Sequence, residues 1–169
     1  MEFYEALRTR RSVRKYKSTP IEPAALDRIL EAARTAPSAA NRQPWQFIVV
    51  FDEGVRQNLV KTYPRDWLAS APVIIVACAE PAAAWVRRDG KNYADVDVAI
   101  AFEHLVLAAA AEGLGTCWIG AFDPAGVGKV MGLPEGIEPI AMTPLGYPDD
   151  VPRPTSRKPR AEVVRRDRW

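Results

Sequence analysis

The sequence predicts an α+β layer fold. Helical and strand patterns alternate imperfectly, and the first strand pattern comes only after two helices. No Gly-x-Gly-x-x-Gly follows any strand, which argues against a Rossmann domain and for separated α and β layers. The chain has no internal repeat and no linker, and its 169 residues are expected to form one domain spanning 1–169.

Each element has its own signal. Met1 to Thr9 reads as a short helix, with Phe3 and Leu7 on one side. Residues 10–19 read as a basic loop. Thr19-Pro20-Ile21-Glu22-Pro23 opens a second helix with Leu26, Ile29, Leu30 and Ala33 on one face, and Pro37-Ser38 breaks it. Trp45 to Phe51 is rich in aromatic and β-branched residues and reads as a strand. Val55, Leu59 and Val60 mark a helix, and Pro72 to Ala79 a buried strand. Residues 80–93 form a looser region with Trp85 and Tyr93. Asp95 to Glu112 is the longest helix, with Gly113 placed to end it. It is apolar almost all round, so most of its sides must be covered, which favours a subunit interface. Thr116 to Ile119 is a short strand. Asp123-Pro124 caps a helix carrying Val127, Val130 and Met131, and Ile137 to Leu145 is the last core strand. From Pro148 the chain is rich in Pro and Arg, too poor in apolar residues to fold alone, and in need of a partner to lie on.

Composition excludes several classes. About half the chain is apolar and a quarter charged, as in ordinary globular proteins. Met1-Glu2-Phe3-Tyr4-Glu5 lacks the basic start and apolar core of a signal peptide, and Glu103 and His104 interrupt the longest apolar stretch. A cytoplasmic protein without a membrane span is expected. Cys78 and Cys117 sit in apolar runs without a Cys-x-x-Cys and read as buried, inert thiols. The one histidine, His104, has no acid or thiol at ligand spacing, which argues against a zinc site or a Ser-His-Asp triad. Charge is uneven: Arg153 to Trp169 holds seven Lys/Arg and two acids, a net of +5 in a chain whose total is +2.

Two motifs carry chemistry. Arg10-Arg11-Ser12-Val13-Arg14-Lys15-Tyr16 packs four cations and a hydroxyl into seven residues, with no acid from Arg8 to Lys17. Forked guanidinium donors with a hydroxyl between them suit a phosphate. A solvated basic turn is the plain alternative. Pro37-Ser38-Ala39-Ala40-Asn41-Arg42-Gln43-Pro44-Trp45 joins helix to strand. Its small residues allow a flat ligand to approach, and Ser38, Asn41 and Gln43 supply donors and acceptors. Its alternative is a simple helix C-terminal turn, and Trp45 fits the core better than a ligand site.

Together these segments resemble the nitroreductase family of flavoproteins. The resemblance rests on Arg10-x-Ser12-x-Arg14-x-Tyr16 and on Pro37-Ser38-x-x-Asn41-x-Gln43-Pro44-Trp45. In order along the chain follow Glu112-Gly113-Leu114-Gly115, Cys117-Trp118-Ile119-Gly120-Ala121-Phe122, Gly132-Leu133-Pro134, Leu145-Gly146-Tyr147-Pro148 and Arg157-Lys158-Pro159. The resemblance implies a three-layer fold with a central, mixed but mostly antiparallel sheet flanked by helices. It also implies an intertwined homodimer with FMN at the interface and the C-terminal tail crossing to the partner. Arg10, Ser12 and Arg14, with Arg11 adjacent, match the family's residues around the FMN phosphate, ribityl chain and pyrimidine edge. Arg157, with Lys158, matches a tail cation that reaches the phosphate. Pro37, Ser38, Ala39 and Asn41 match a loop laid against the flavin by the other subunit. Ile119-Gly120 matches the segment whose Gly120 N–H faces flavin N5. The implied activity passes hydride from NADH or NADPH through N5 to an electron-poor small molecule, such as a nitroaromatic or a quinone, by a ping-pong mechanism. Such chemistry needs an open stacking face, so no side chain is named as catalytic.

The chain also departs from the pattern. Where larger members place a Lys and an Asn before the second strand, this sequence has Tyr63-Pro64-Arg65-Asp66-Trp67-Leu68. Little chain lies between Ala79 and Tyr93 to build a lid, for which Trp67, Trp85 and Tyr93 are the candidates. A flavin-dependent reductive dehalogenase, a flavin carrier without turnover and a basic nucleic-acid-binding dimer remain as alternatives. The last lacks a recognition helix or an aromatic stacking stripe.

Overall fold

A computed structural model describes residues 1–150 and 152–169. Four strands form one sheet: β1 (Trp45–Val50), β2 (Val73–Ala79), β3 (Gly115–Thr116) and β4 (Glu138–Gly146), in the spatial order β1-β2-β4-β3. Every strand pair is antiparallel, and a parallel bridge from Ser12 to Thr116 extends the sheet beyond β3. The helices are α1 (Phe3–Thr9), α2 (Pro23–Arg34), α3 (Glu53–Thr62), α4 (Ala94–Ala111), α5 (Pro124–Met131) and the short α6 (Arg160–Val163).

β2 explains the three layers. All seven of its residues are buried, and their period of two sends them to opposite faces. Val73, Ile75 and Ala77 pack against Leu26, Ile29 and Ala33 of α2 and Val98, Phe102 and Leu105 of α4. Ile74, Val76 and Cys78 pack with Leu59 of α3, Val127 of α5 and Met142 of β4. Each fully buried Ile or Val contributes about 1.5–3 kcal/mol of apolar transfer, which is how a short central strand holds two helical layers.

Local signals set the helix ends. Asp52 Oδ1 accepts from Val55 N–H at 2.8 Å, and Asp123 Oδ1 from Ala125 N–H at 3.1 Å, capping α3 and α5. Pro23 stands in the first turn of α2, so that helix starts later than Thr19. Gly113 takes φ +76° after α4, while Leu114 N–H reaches Ala109 O at 2.8 Å and Gly113 N–H reaches Ala110 O at 3.0 Å. This closes the helix in a left-handed Schellman turn.

Two expectations need correction. Residues 10–19 are more than a solvated loop: Val13 and Tyr16 are buried, Val13 N–H donates to Thr116 O at 2.8 Å, and Tyr16 bridges to Pro148. The strand expected over Thr116–Ile119 stops at Thr116. Cys117 N–H is taken by Thr143 Oγ1 at 3.0 Å, and Pro144 brings no N–H to the ladder, which resumes only at the Ile119–Met142 bridge. Short 3-10 turns at Ala39–Asn41 and Asp66–Ser70, and α6, had no periodic signal to announce them. No helix among the described residues is long and apolar enough to cross a membrane.

Candidate functional site

The two basic ends of the chain meet. Arg10, Arg11, Ser12 and Arg14 line one cavity of about 600 Å³ together with Asp150, Pro152, Arg153, Thr155 and Arg157. The sheet places the first group. Ser12 lies along Thr116, and Val13 is locked into the core between it and Arg14, so residues on either side of Val13 are turned toward the cavity mouth. The chain after β4 returns past this edge: Asp149 N–H donates to Lys15 O at 2.9 Å, and Lys15 Nζ pairs with Asp149 at 3.1 Å.

The arginines differ in what they do. Arg11 Nη1 donates to Arg8 O at 2.7 Å and Arg10 O at 2.8 Å, so this guanidinium satisfies carbonyls at the end of α1 as well as lining the cavity. Arg157 Nη1 donates to Thr155 Oγ1 at 2.7 Å, which organises the tail's contribution. Arg14 lies over the Trp67 ring, 5.9 Å from its centroid, within cation–π range. Trp67 packs against Val13, Tyr16 and Ala71 and meets Tyr63 edge-to-face at 6.0 Å. The Tyr63–Leu68 segment thus offers Arg14 an aromatic platform. Asp150 is the one acid among the lining residues, and Glu103 stands near Arg10. Burial raises the Glu103 carboxyl, and the Arg10 charge opposes that shift. Lys158 is exposed and outside the lining of this cavity.

Three buried titratable groups lie in the core outside the cavity lining. Tyr16 donates to Val13 O at 2.6 Å, and burial, with Cys117 next, drives its hydroxyl far above the usual phenol range. Cys117 is buried, and that burial raises its thiol although Arg14, Ser12 and Arg10 pull the other way. Cys78 is pushed up by burial to about 11. Both cysteines are free and buried, as expected of inert thiols.

Pro37, Ser38, Ala39 and Asn41 lie apart from the arginine cavity, on the turn between α2 and β1. Ala40, Asn41 and Gln43 adopt φ values of 50°, 53° and 51°. Three left-handed non-glycine residues within four positions make this the most strained backbone among the described residues. Ser38 Oγ accepts from Gln43 N–H at 2.9 Å, and Ala39 N–H donates to Asp97 Oδ1 at 2.9 Å. Trp45 is half-buried against the α2–α4 layer, as its core reading required. Gly120 is exposed just past Ile119, and a Cβ built on it would meet nothing within 4 Å, so its backbone fronts open space. Trp85 and Tyr93 stack edge-to-face at 5.0 Å and close the turn before α4.

Sequence reasoning missed Arg153, Thr155 and Asp150, whose place in the cavity depends on how the tail folds back. It also missed Asp97, an acid in the first turn of an apolar helix, which is the signal that could have found it.

A three-layer α+β fold with a cation-lined cavity at the β3 edge presents charge-assisted donors of the kind that suit an anionic group. The chain belongs to the nitroreductase family, whose family model matches residues 7–63 and 53–147. A Methanothermobacter thermautotrophicus protein with the provisional name NADH dehydrogenase/NAD(P)H nitroreductase is 33% identical over 162 residues, covering 90% of this chain and 80% of that one. The crystal structure of a nitroreductase family protein from Clostridium difficile 630 is similar at 32% identity and a TM-score of 0.89, covering 100% of both chains. The NADPH:FMN oxidoreductase from Vibrio harveyi, complexed with NAD+, is similar at 26% identity and a TM-score of 0.89, covering 99% of this chain and 77% of that one.

Proposed function

We propose that this chain is an FMN-dependent oxidoreductase that draws on NADH or NADPH, reduces an electron-poor small molecule such as a nitroaromatic or a quinone, and works as a homodimer. The observation that carries the reading is the cavity lined by Arg10, Arg11, Ser12, Arg14, Arg153, Thr155 and Arg157. Its donor set fits a phosphate dianion: guanidinium forks supply charge-assisted bonds, and Ser12 and Thr155 add neutral hydroxyl donors. FMN bound there would supply hydride transfer between the nicotinamide and the acceptor, in a ping-pong cycle.

The protein's own work is binding and electrostatics. Arg10, Arg153 and Arg157 neutralise the phosphate. Arg14, steadied by Trp67, is the fixed cation that favours added negative charge on a neighbouring ring. Gly120 leaves its side of the ring open and offers only a backbone N–H. The Pro37–Asn41 loop covers the ring of a partner subunit. Two surfaces support the dimer. Phe3 of α1 and the half-buried Leu107, Ala108 and Ala111 of α4 line one apolar pocket with Met1 and Ala6, while Tyr4 and Leu7 lie exposed nearby on α1. Val163 and Val164 stand exposed on the tail, and among the described residues β1 has an unpaired edge, so a tail crossing to the partner would cover both.

The test is direct. Protein incubated with FMN and desalted should stay yellow, bleach under anaerobic NADH or NADPH, and recolour when a quinone or nitroaromatic is added. Protein that retains no FMN sinks the reading. Retained flavin that neither nicotinamide bleaches indicates a carrier, and recolouring only by a halogenated aromatic, with release of halide, indicates a dehalogenase.

A further inference from the structure

We propose that Asp97 is a positioning residue that latches the Ser38–Gln43 loop in its strained, ligand-facing form. The inference rests on the reading of that loop as part of the cofactor site. Within residues 38–43 most hydrogen bonds are local. Asn41 N–H reaches Ser38 O at 3.0 Å and Arg42 N–H reaches Ala39 O at 3.2 Å. Gln43 N–H reaches Ser38 Oγ at 2.9 Å, and the Gln43 amide donates to Asn41 O and Oδ1, each at 3.2 Å. Among the described residues, the only hydrogen bond that leaves this segment is Ala39 N–H to Asp97 Oδ1, at 2.9 Å across 58 residues of sequence.

The carboxylate is unusual in its setting. Asp97 is 1% exposed, on the inward face of α4, beside Val98 and Ala94. Its second oxygen, Oδ2, is buried and has no hydrogen-bond partner among the described residues. A buried carboxylate making a single hydrogen bond to protein is poorly compensated, so stability alone would favour an apolar residue here. The first-turn position offsets part of that penalty, because the amino end of an 18-residue helix favours an anion. What the carboxylate secures is the loop. Ala40 holds its left-handed φ with no polar side chain to bond locally. Local bonds alone would let the turn relax into a right-handed form. The charge-assisted bond from Ala39 ties the turn to the most buried helix of the fold. It thereby fixes the direction in which Ser38, Ala39 and Asn41 face.

The experiment compares wild type with Asp97→Ala, Asp97→Asn and the double variant Asp97→Ala/Ala40→Gly. Two readouts are used: amide hydrogen exchange of the flavin-free protein and FMN affinity by fluorescence quenching. In Asp97→Ala, exchange should accelerate at least tenfold at Ala39 and across 39–43, with β2 and the rest of α4 still protected. FMN affinity should fall at least tenfold. Asp97→Asn, which keeps an acceptor but not the charge, should fall between. Ala40→Gly removes the cost of the left-handed turn and should restore part of the lost affinity, which a purely structural role for Asp97 would not produce. Unchanged loop exchange, loss of protection throughout α4, or FMN affinity within twofold of wild type in Asp97→Ala would overturn the proposal. Wild-type protein that binds no FMN sinks the flavin reading instead, and the exchange data then decide the latch alone.

Discussion

Replacing Gly115 by Ala tests the link between the core and the arginine cradle. A Cβ at Gly115 would lie 2.8 Å from Val13 Cβ and Cγ2 and 2.9 Å from Cγ1. Ordinary carbon contacts are about 3.5–4.0 Å, so the two residues must separate by roughly 1 Å. The obstacle is stiff. Val13 is β-branched and 4% exposed, and its N–H is bonded to Thr116 O at 2.8 Å. Such overpacking costs about 1–3 kcal/mol. A Gly→Ala change recovers up to about 1 kcal/mol through the unfolded chain, so from the middle of that range, about 2 kcal/mol, a net loss of about 1–2 kcal/mol remains. For a domain of this size that lowers Tm by roughly 2–8 °C. Because Ser12 and Arg14 flank Val13, the shift also moves two cavity donors, and FMN affinity should drop with stability. Thermal unfolding and a flavin titration read both quantities. Gly120→Ala is the control, since its Cβ meets nothing within 4 Å: its Tm should equal or exceed that of wild type. A Gly115→Ala protein with wild-type Tm and wild-type FMN affinity would refute the argument that Val13 sets the cradle.

Arg10→Ala should weaken FMN about ten- to a hundredfold, the worth of one hydrogen bond to a charged group, with the far-UV spectrum unchanged; an unaltered dissociation constant would count against the phosphate assignment. Arg157→Ala should weaken FMN more than Lys158→Ala does, because only Arg157 lines the cavity, and equal effects would contradict that placement. Native protein at pH 7 should resist a disulfide reagent until it is unfolded. The Cys78 thiol, raised from 9.0 to about 11 in the fold, favours the neutral form, so its contribution is complete below pH 9 and is lost as pH climbs toward 11. A denaturation midpoint that rises over that interval would be the contrary result. Truncation before Arg153 should loosen both dimer and flavin, and sedimentation as an intact dimer with full flavin affinity would speak against a crossing tail.

The legible features were those with local causes. An unbroken apolar run marked β2, Asp52 and Asp123 sit where caps are needed, and Gly113 ends α4 because the turn requires a left-handed residue. The arginine and Pro37–Trp45 motifs were legible as candidate ligand chemistry. Their geometry was not. Neither the strain at Ala40, Asn41 and Gln43 nor the bond from Ala39 to Asp97 has a local cause, since it takes a helix arriving 58 residues later to hold the turn. The same is true of Arg153 and Thr155, which enter the cavity only through the return of the chain past Lys15.

By itself, then, the sequence determined an α+β chain with a buried central strand, an over-apolar helix, inert thiols and two cationic ends suited to phosphate. Tertiary structure alone decided that those ends line a single cavity, that Val13 between the arginines is a core residue, and that Trp67 underlies Arg14. Periodicity, capping and charge count are set by neighbours within a turn or a strand. Which distant residues share a cavity depends on sheet order and on where the core locks each segment, and no local pattern encodes either.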